Sequence, residues 1–490
     1  MNKKDGLNMR VTFFVILVTL LFSLPNIFAQ KGEMQITTSS KDALKAFLDG
    51  REKADHIEFT AAAKLFEKAI KEDPNFALAY LFLAQTGGGF NVSQQNLNEA
   101  VKLADNVTKG ERHFILLVKA LNDGDIKEQN VHMKQLLSLF PNDKRIQHMA
   151  GLVNFVNNDY SKALGHFNKA EEIDKNFAAT YNMKGYCEMR LGKMNDAGKS
   201  FEKYISLVPN KPNPYDSYAE YLMKMGKYDE SIKNYKIALD KDPEFISSWA
   251  GIGDDYVFKG DFETARDQYQ KYFNKASRIS EKLNALYLNA VSYVHEGKID
   301  QALRIFDKYR SLAQKENLIP NEIYSHRYQA LILLEKGRVE EGRKHCQMAY
   351  DLVQNSNLPD AAKEYFTIHS SLWRVHSLIA NNDLEKAKTE LEQCQKMVMN
   401  RNNPEEIKTL HAMYGLFEMQ NGNNDKTLEY FSKADNEDPL VKHYIALTHE
   451  KKDNIKAATA MYENIVKWNE NGLNYALVRQ HAIDKINNIK

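Results

Sequence analysis

The sequence predicts an all-α protein, an α-α superhelical solenoid of about twelve antiparallel helix-turn-helix repeats with a C-terminal capping helix. Three observations carry this. A small residue recurs at 163, 197, 231 and 265, a step of 34. An aromatic follows each one four positions later, at 167, 201, 235 and 269. A short turn precedes each pair: "NND" at 157, "LGK" at 191, "MGK" at 225 and "KGD" at 259. Internal repetition of this kind overrides the three or so globular domains that length alone suggests.

The spacing has a physical reading. Residues four apart share one face of a helix, so the small residue and the aromatic stand on one stripe. The small residue lets two antiparallel helices approach, and the aromatic fills the wedge between them. Glycine in the turn supplies a left-handed stop. Pro74, Pro141, Pro209, Pro243 and Pro439 close units, because proline forces the preceding residue out of helical geometry.

From the N-terminus, "MNKKDGLNMR" is basic and "VTFFVILVTLLFSL" is an apolar run from Val11 to Leu24, ended by Pro25 and "NIFAQ". Residues 1–29 therefore predict a secretory signal peptide. The alternative is an uncleaved N-terminal membrane anchor, against which the run is shorter than the ~20 apolar residues that span a bilayer. No cysteine lies near the cut, and a lipid anchor is not expected. Residues 30–40, "QKGEMQITTSS", form a polar leader. Without residues 1–29 the formal charge falls from +1 to −1, which gives no electrostatic footprint for nucleic acid or an acidic membrane.

Residues 41–143 hold N-terminal repeats: Ala62/Phe66 mark the first, "LNEAVKLA" (97–104) a degenerate second, and 110–141 a third. The stretch "GGGFNVSQQN" from Gly87 is expected to be an irregular glycine-rich insert in the second hairpin. It lacks the lysine and hydroxyl residue of a phosphate loop. Residues 144–279 hold four repeats in strict 34-residue register. From 280 to 472 the spacing loosens, yet Ala302/Phe306, Gly342/Cys346, Ala387/Leu391, Thr427/Phe431 and Ala457/Met461 keep the rhythm. Residues 473–490 read as a helix that caps the end of the stack.

The period, with Trp249, Ile252, Gly253, Tyr256, Ala265 and Tyr269 in the pattern W-x2-L-G-x2-Y…A-x3-F, resembles the tetratricopeptide repeat family. Phrases such as "PNPYDSYAEYLMKMG" and "NGLNYALVR" also resemble exported bacterial repeat proteins of undefined biochemical role. The family resemblance implies that the first helix of each hairpin lines a concave groove through repeat positions 2, 5, 9, 12 and 13. On this chain those positions include Leu152, Phe155, Asn182, Tyr186, Met189, Asp216, Glu220, Met223, Asp254 and Phe258. The lysine and asparagine with which some members clamp a C-terminal carboxylate are missing. The expectation is an apolar floor with an acidic centre of Asp216, Glu220 and Asp254, suited to an extended segment with a basic residue between hydrophobic ones.

Chemistry is scarce elsewhere. Cys187, Cys346 and Cys394 are too few for a disulfide framework and fall on packing positions. His369 and His376 are seven residues apart, about 10 Å along a helix, too far for one metal ion. "HEKKD" at 449 lacks the second histidine of a zinc-protease helix. No catalytic residue, metal ligand set or cofactor is predicted, and carboxylates are expected on solvated helix faces.

The expected function is a non-catalytic scaffold for a protein or extended peptide segment, acting outside the cytoplasm in the periplasm or at the cell surface. Two other readings stand beside it: capture of a small molecule or glycan at the cell surface, and an enzyme assembled on the solenoid. Membrane insertion after signal cleavage is not expected. Oligomeric state is not legible.

Overall fold

A computed structural model of the chain describes residues 32–87 and 90–489. The signal-peptide segment, the first two leader residues and Gly88–Gly89 lie outside the described residues. Among the described residues there are 25 α-helices, one 3-10 turn and no strand. They form twelve consecutive hairpins and a terminal helix, the solenoid that the repeat spacing predicts.

The first three hairpins are α1 (Lys41–Asp55) with α2 (Phe59–Glu72), α3 (Ala77–Thr86) with α4 (Phe90–Lys102), and α5 (Lys109–Asp123) with α6 (Ile126–Leu139). Four hairpins in close register follow: α7 (Lys144–Val156) and α8 (Tyr160–Ile173), α9 (Ala178–Arg190) and α10 (Met194–Leu207), α11 (Asn213–Lys224) and α12 (Tyr228–Lys241), α13 (Ser247–Lys259) and α14 (Phe262–Lys275). Next come α15 (Ile279–His295) and α16 (Ile299–Lys315), α17 (Ile319–Glu335) and α18 (Val339–Asn355), α19 (Asp360–Ala380) and α20 (Leu384–Arg401). The last are α21 (Pro404–Gln420) and α22 (Asn424–Lys433), α23 (Pro439–Lys451) and α24 (Ile455–Val466), then α25 (Leu473–Ile489).

Two sequence expectations change here. Phe90 to Asn96 is the start of α4 rather than part of an irregular insert. Helix-forming residues simply resume after the glycines. In the last hairpin the packing pair is Ala458 and Tyr462, 2 % and 0 % exposed, one position beyond Ala457/Met461. The looser spacing after residue 279 also has a cause. Helices α15 to α18 have 17 residues each, against 12 to 14 in α7 to α14, so each hairpin is lengthened by nearly two turns in total.

The close helix approach is visible at the glycines. A β-carbon on Gly151 would stand 2.4 Å from the Phe167 ring, and one on Gly185 2.7 Å from that of Phe201. Gly253 with Tyr269 and Gly415 with Phe431 repeat the arrangement at 2.3 and 2.6 Å. These aromatics are fully buried. The turns are as regular: Asn158, Gly192, Gly226, Gly260, Gly297, Gly337, Asn382, Gly422 and Asp453 all have positive φ. Asparagine and aspartate substitute for glycine because their short polar side chains tolerate the left-handed region.

The described residues fall into two compact units. One comprises residues up to Tyr221 together with Lys236–Phe245. The other comprises Leu222–Tyr235 and everything from Ile246 onward.

In the first unit the polar leader is structured. Residues 33–40 run without helix, and Met34 is fully buried where a β-carbon on Gly110 would stand 2.7 Å from its sulfur. Thr37 donates to the buried Glu111 through its backbone N–H (2.7 Å) and its hydroxyl (2.5 Å). Glu111 also accepts the N–H (2.9 Å) and hydroxyl (2.8 Å) of Thr108, the N-cap of α5. Thr38 bonds Asp73 at 2.5 Å. The side chains of Arg145 in α7 and Asp55 in α1 form a two-pronged, nearly buried ion pair at 3.1 and 2.8 Å. The leader and α1 thus close over hairpins that follow them in sequence.

In the second unit α25 buries Leu473, Tyr475, Ala476, Val478 and Ala482. It covers α24 and α23, as a cap should, and it also packs on α15 and α17. Tyr444 of α23 donates to Glu335 of α17, which His376 of α19 approaches at 3.5 Å. First helices from separate hairpins therefore meet one another.

Candidate functional site

The predicted groove positions divide between the units. In the first, Leu152, Phe155, Asn182 and Asp216 are buried, and Tyr186, Met189 and Glu220 are half-buried. Tyr186 donates its phenol to Glu220 at 2.7 Å, one 34-residue period away. Equivalent positions of consecutive repeats thus touch. Burial, and then the Glu220 charge, holds the Tyr186 phenol well above its ordinary value. His148, one turn before Leu152, belongs to the core: it lies among Phe167, Phe177 and Thr180, and burial pushes it down to about 3.

In the second unit Met223 and Asp254 are half-buried and Phe258 is buried. Asp254 accepts the Tyr269 phenol at 2.6 Å and the Asn471 amide at 2.7 Å. Burial raises it to about 6. Its neighbour Asp255 is fully buried and raised further, to about 8, by burial and by the Asp254 charge, with the Ser231 hydroxyl acting in the opposite sense. Not all carboxylates, then, keep to solvated faces. Asp143, Asp216, Asp255, Glu111, Glu188 and Glu406 are buried.

Asn471 belongs to a non-helical stretch, Trp468 to Gly472, that the sequence did not single out. It lies against residues drawn from four hairpins. The Lys224 ammonium donates to the Trp468 carbonyl, pairs with Glu470 at 3.5 Å and sits 4.3 Å from the Trp468 ring centre. Lys442 approaches the same ring at 5.1 Å. Tyr228 donates to the Asn469 side chain at 2.7 Å, and the Asn469 amide donates to the Lys224 carbonyl at 3.4 Å. Asn471 donates to Asp254 and to the Tyr269 oxygen at 3.2 Å, while His295 Nε2 meets its carbonyl at 3.1 Å. Burial holds His295 at about 3, so the ring is neutral and Nε2 carries its proton to donate. The Leu473 N–H donates to Tyr287 at 3.1 Å. No periodicity marks these partners; the one hint was the amide-rich "KWNENGLN".

Other chemistry is dispersed. Among the described residues no three His, Cys, Asp or Glu side chains converge as metal ligands. The three cysteines are separate, buried thiols. His113 with His132 and His326 with His345 form pairs, Nδ1 to Nδ1, at 3.1 and 3.0 Å. A recess of about 300 Å³ is lined by Asp360, Lys363, Glu364, Thr367, Ile368, Met397 and Asn400. Its lysine is engaged by the carbonyls of Gln354 and Ser356. No described helix is long and apolar enough to cross a membrane.

Residues 178–211, the span of α9 and α10 with the turn that follows, match the tetratricopeptide repeat family. The hairpins on either side repeat the same spacing and left-handed turn, with Gly151 facing Phe167 in the one before and Ala219 at the equivalent position in the one after. The chain carries the tetratricopeptide repeat. It is similar to the mitochondrial import receptor subunit TOM70 of Saccharomyces cerevisiae, 21% identical over 64% of this chain and 51% of that protein. It is also similar to the Hsp70-Hsp90 organizing protein 2 of Arabidopsis thaliana, 25% identical over 23% of this chain and 20% of that one. The chain spans about half the length of the first of these relatives. Among solved structures, yeast Tom70 aligns with a TM-score of 0.41 at 18% identity, covering 66% of this chain and 70% of that one. A tetratricopeptide repeat protein from Parabacteroides merdae ATCC 43184 aligns with a TM-score of 0.37 at 16% identity, covering 58% and 98%.

Proposed function

We propose that the protein is a non-catalytic scaffold that binds protein or extended peptide segments outside the cytoplasm. One observation carries the binding part: each unit holds a non-helical stretch of its own chain through side-chain hydrogen bonds. In the first unit Thr37 and Thr38 are held by Glu111 and Asp73. In the second, Trp468–Asn471 is held by Lys224, Tyr228, Asp254 and His295. Faces that satisfy the polar groups of an irregular backbone are suited to an extended guest. The relatives named for import and for Hsp70–Hsp90 organisation support a role in protein interaction. The basic and then apolar pattern of residues 1–29 supports export.

Within the first unit, Tyr186, Met189 and Glu220 are the half-buried groove positions, on consecutive first helices, while Leu152, Phe155, Asn182 and Asp216 are buried beside them. This arrangement favours a guest with a basic residue between hydrophobic ones, since complementary charge sets specificity and association rate. The test is capture from an envelope fraction by the purified protein and by an Asp216→Asn/Glu220→Gln variant. Specific partners, weakened in the variant and by salt, are expected. A partner list indistinguishable from that of an unrelated helical protein overturns the reading.

A further inference from the structure

We infer that Trp468–Asn471 is an internal ligand: it occupies a peptide-binding face of the second unit, which takes an external segment only when this stretch leaves. This inference rests on the scaffold reading and specifies how one of its faces is regulated. Three features distinguish the stretch from ordinary core. First, its residues are half-buried, whereas Leu473 and Tyr475 just beyond are 4 % and 1 % exposed. Second, polar and cation–π contacts hold the stretch in addition to the apolar packing of Trp468 against the core. The Trp468 ring lies against two ammonium groups, Lys224 and Lys442. The Asn469 and Asn471 amides each engage partners at both the oxygen and the nitrogen. Third, the partners belong to elements more than two hundred residues earlier for Lys224, Tyr228 and Asp254, so the stretch is held from outside its own hairpin.

The chemistry of the guest follows from the face. Neutral His295 donates to the oxygen of Asn471, and Asp254 accepts from its nitrogen. A side-chain amide meets both, with a donor and an acceptor on one planar group at neutral pH. An aspartate in its place would set a second carboxylate against Asp254 and leave no donor for it. The external segment is therefore an extended peptide with an aromatic residue followed by asparagines in the spacing Trp-Asn-x-Asn.

The experiment uses the full chain and a fluorescent peptide with the sequence of Val466–Ala476. Wild type is expected to bind it weakly. A Trp468→Ala/Asn471→Asp variant, whose own stretch no longer fits, is expected to bind at least tenfold more tightly. A peptide with aspartate in place of the second asparagine of its Trp-Asn-x-Asn pattern should not bind the variant. A folded variant that ignores the peptide overturns the inference. If the variant does not fold, hydrogen exchange on wild type decides: amides of 468–472 are expected to exchange well before those of α24 and α25, and exchange only in step with both helices overturns the inference. Peptide uptake with no captured partner supports the internal ligand and counts against the scaffold reading. Capture by wild type with no peptide uptake by the variant does the reverse.

Discussion

Asn471 donates its side-chain amide to Asp254 at 2.7 Å across 217 residues of chain. The same carboxyl accepts the Tyr269 phenol, so one acidic group joins α13, α14 and the stretch before α25. Asp254 and Asp255 are raised by burial to about 6 and about 8, above the ordinary aspartate value. Between those limits the folded state binds more protons than the unfolded state, so stability falls as pH rises. Asp255→Asn should remove most of this slope. The variant should gain at least about 1 kcal/mol over wild type at pH 8 relative to pH 5, since one pKa unit is worth ~1.4 kcal/mol. Urea titrations at the two pH values measure it.

The acid limb has the opposite sign. Burial depresses His148 and His295 to about 3 and His326 and His443 to about 4, with nearby positive charge adding to the effect. Unfolded chains bind these protons first, so stability is lost as pH falls from about 6.5 toward 4. His326→Gln should flatten that limb while leaving stability at pH 7.5 within about 1 kcal/mol. An unchanged limb in thermal scans at pH 4.5 would show that His326 does not carry it.

The repeat ruler predicts equal damage at equivalent anchors. Phe167→Ala and Phe201→Ala should each cost about 3–5 kcal/mol, the range for emptying a packed aromatic site. Gly185→Ala should also destabilise, by about 1–3 kcal/mol, because the new methyl meets the buried Phe201 ring. Denaturant unfolding followed by circular dichroism separates these from the exposed control Met348→Ala.

Arg145 tests the closure of the first unit. Arg145→Met leaves the nearly buried Asp55 carboxylate without its fork and should cost about 3–5 kcal/mol. Arg145→Lys should recover only part of this, because an ammonium cannot reproduce the two-pronged geometry. Loss of protection at Thr37 in hydrogen exchange after Glu111→Gln would check the leader independently, since Glu111 holds that amide.

The hairpins follow from residue spacing alone. Positions 167, 201 and 269 were legible as anchors because close helix packing demands a small residue opposite a large one at a fixed interval. The turns were legible for a similar reason, since a left-handed residue admits few side chains. The degenerate ends were read less well. In the last hairpin aspartate, Asp453, takes the left-handed turn position in place of glycine, which hides the pair Ala458 and Tyr462, and the glycine run conceals the start of α4.

What lies against the inner faces is set by packing between distant hairpins. Tyr186 and Glu220 hold equivalent repeat positions one period apart, a local relation that spacing can express. The partners of Asp254, like those of Lys224 and Tyr228, stand more than two hundred residues away in "KWNEN". Their meeting depends on the small rotation from each hairpin to the next, summed over several hairpins. No single motif encodes that sum, which is set by the packing of every interface along the way.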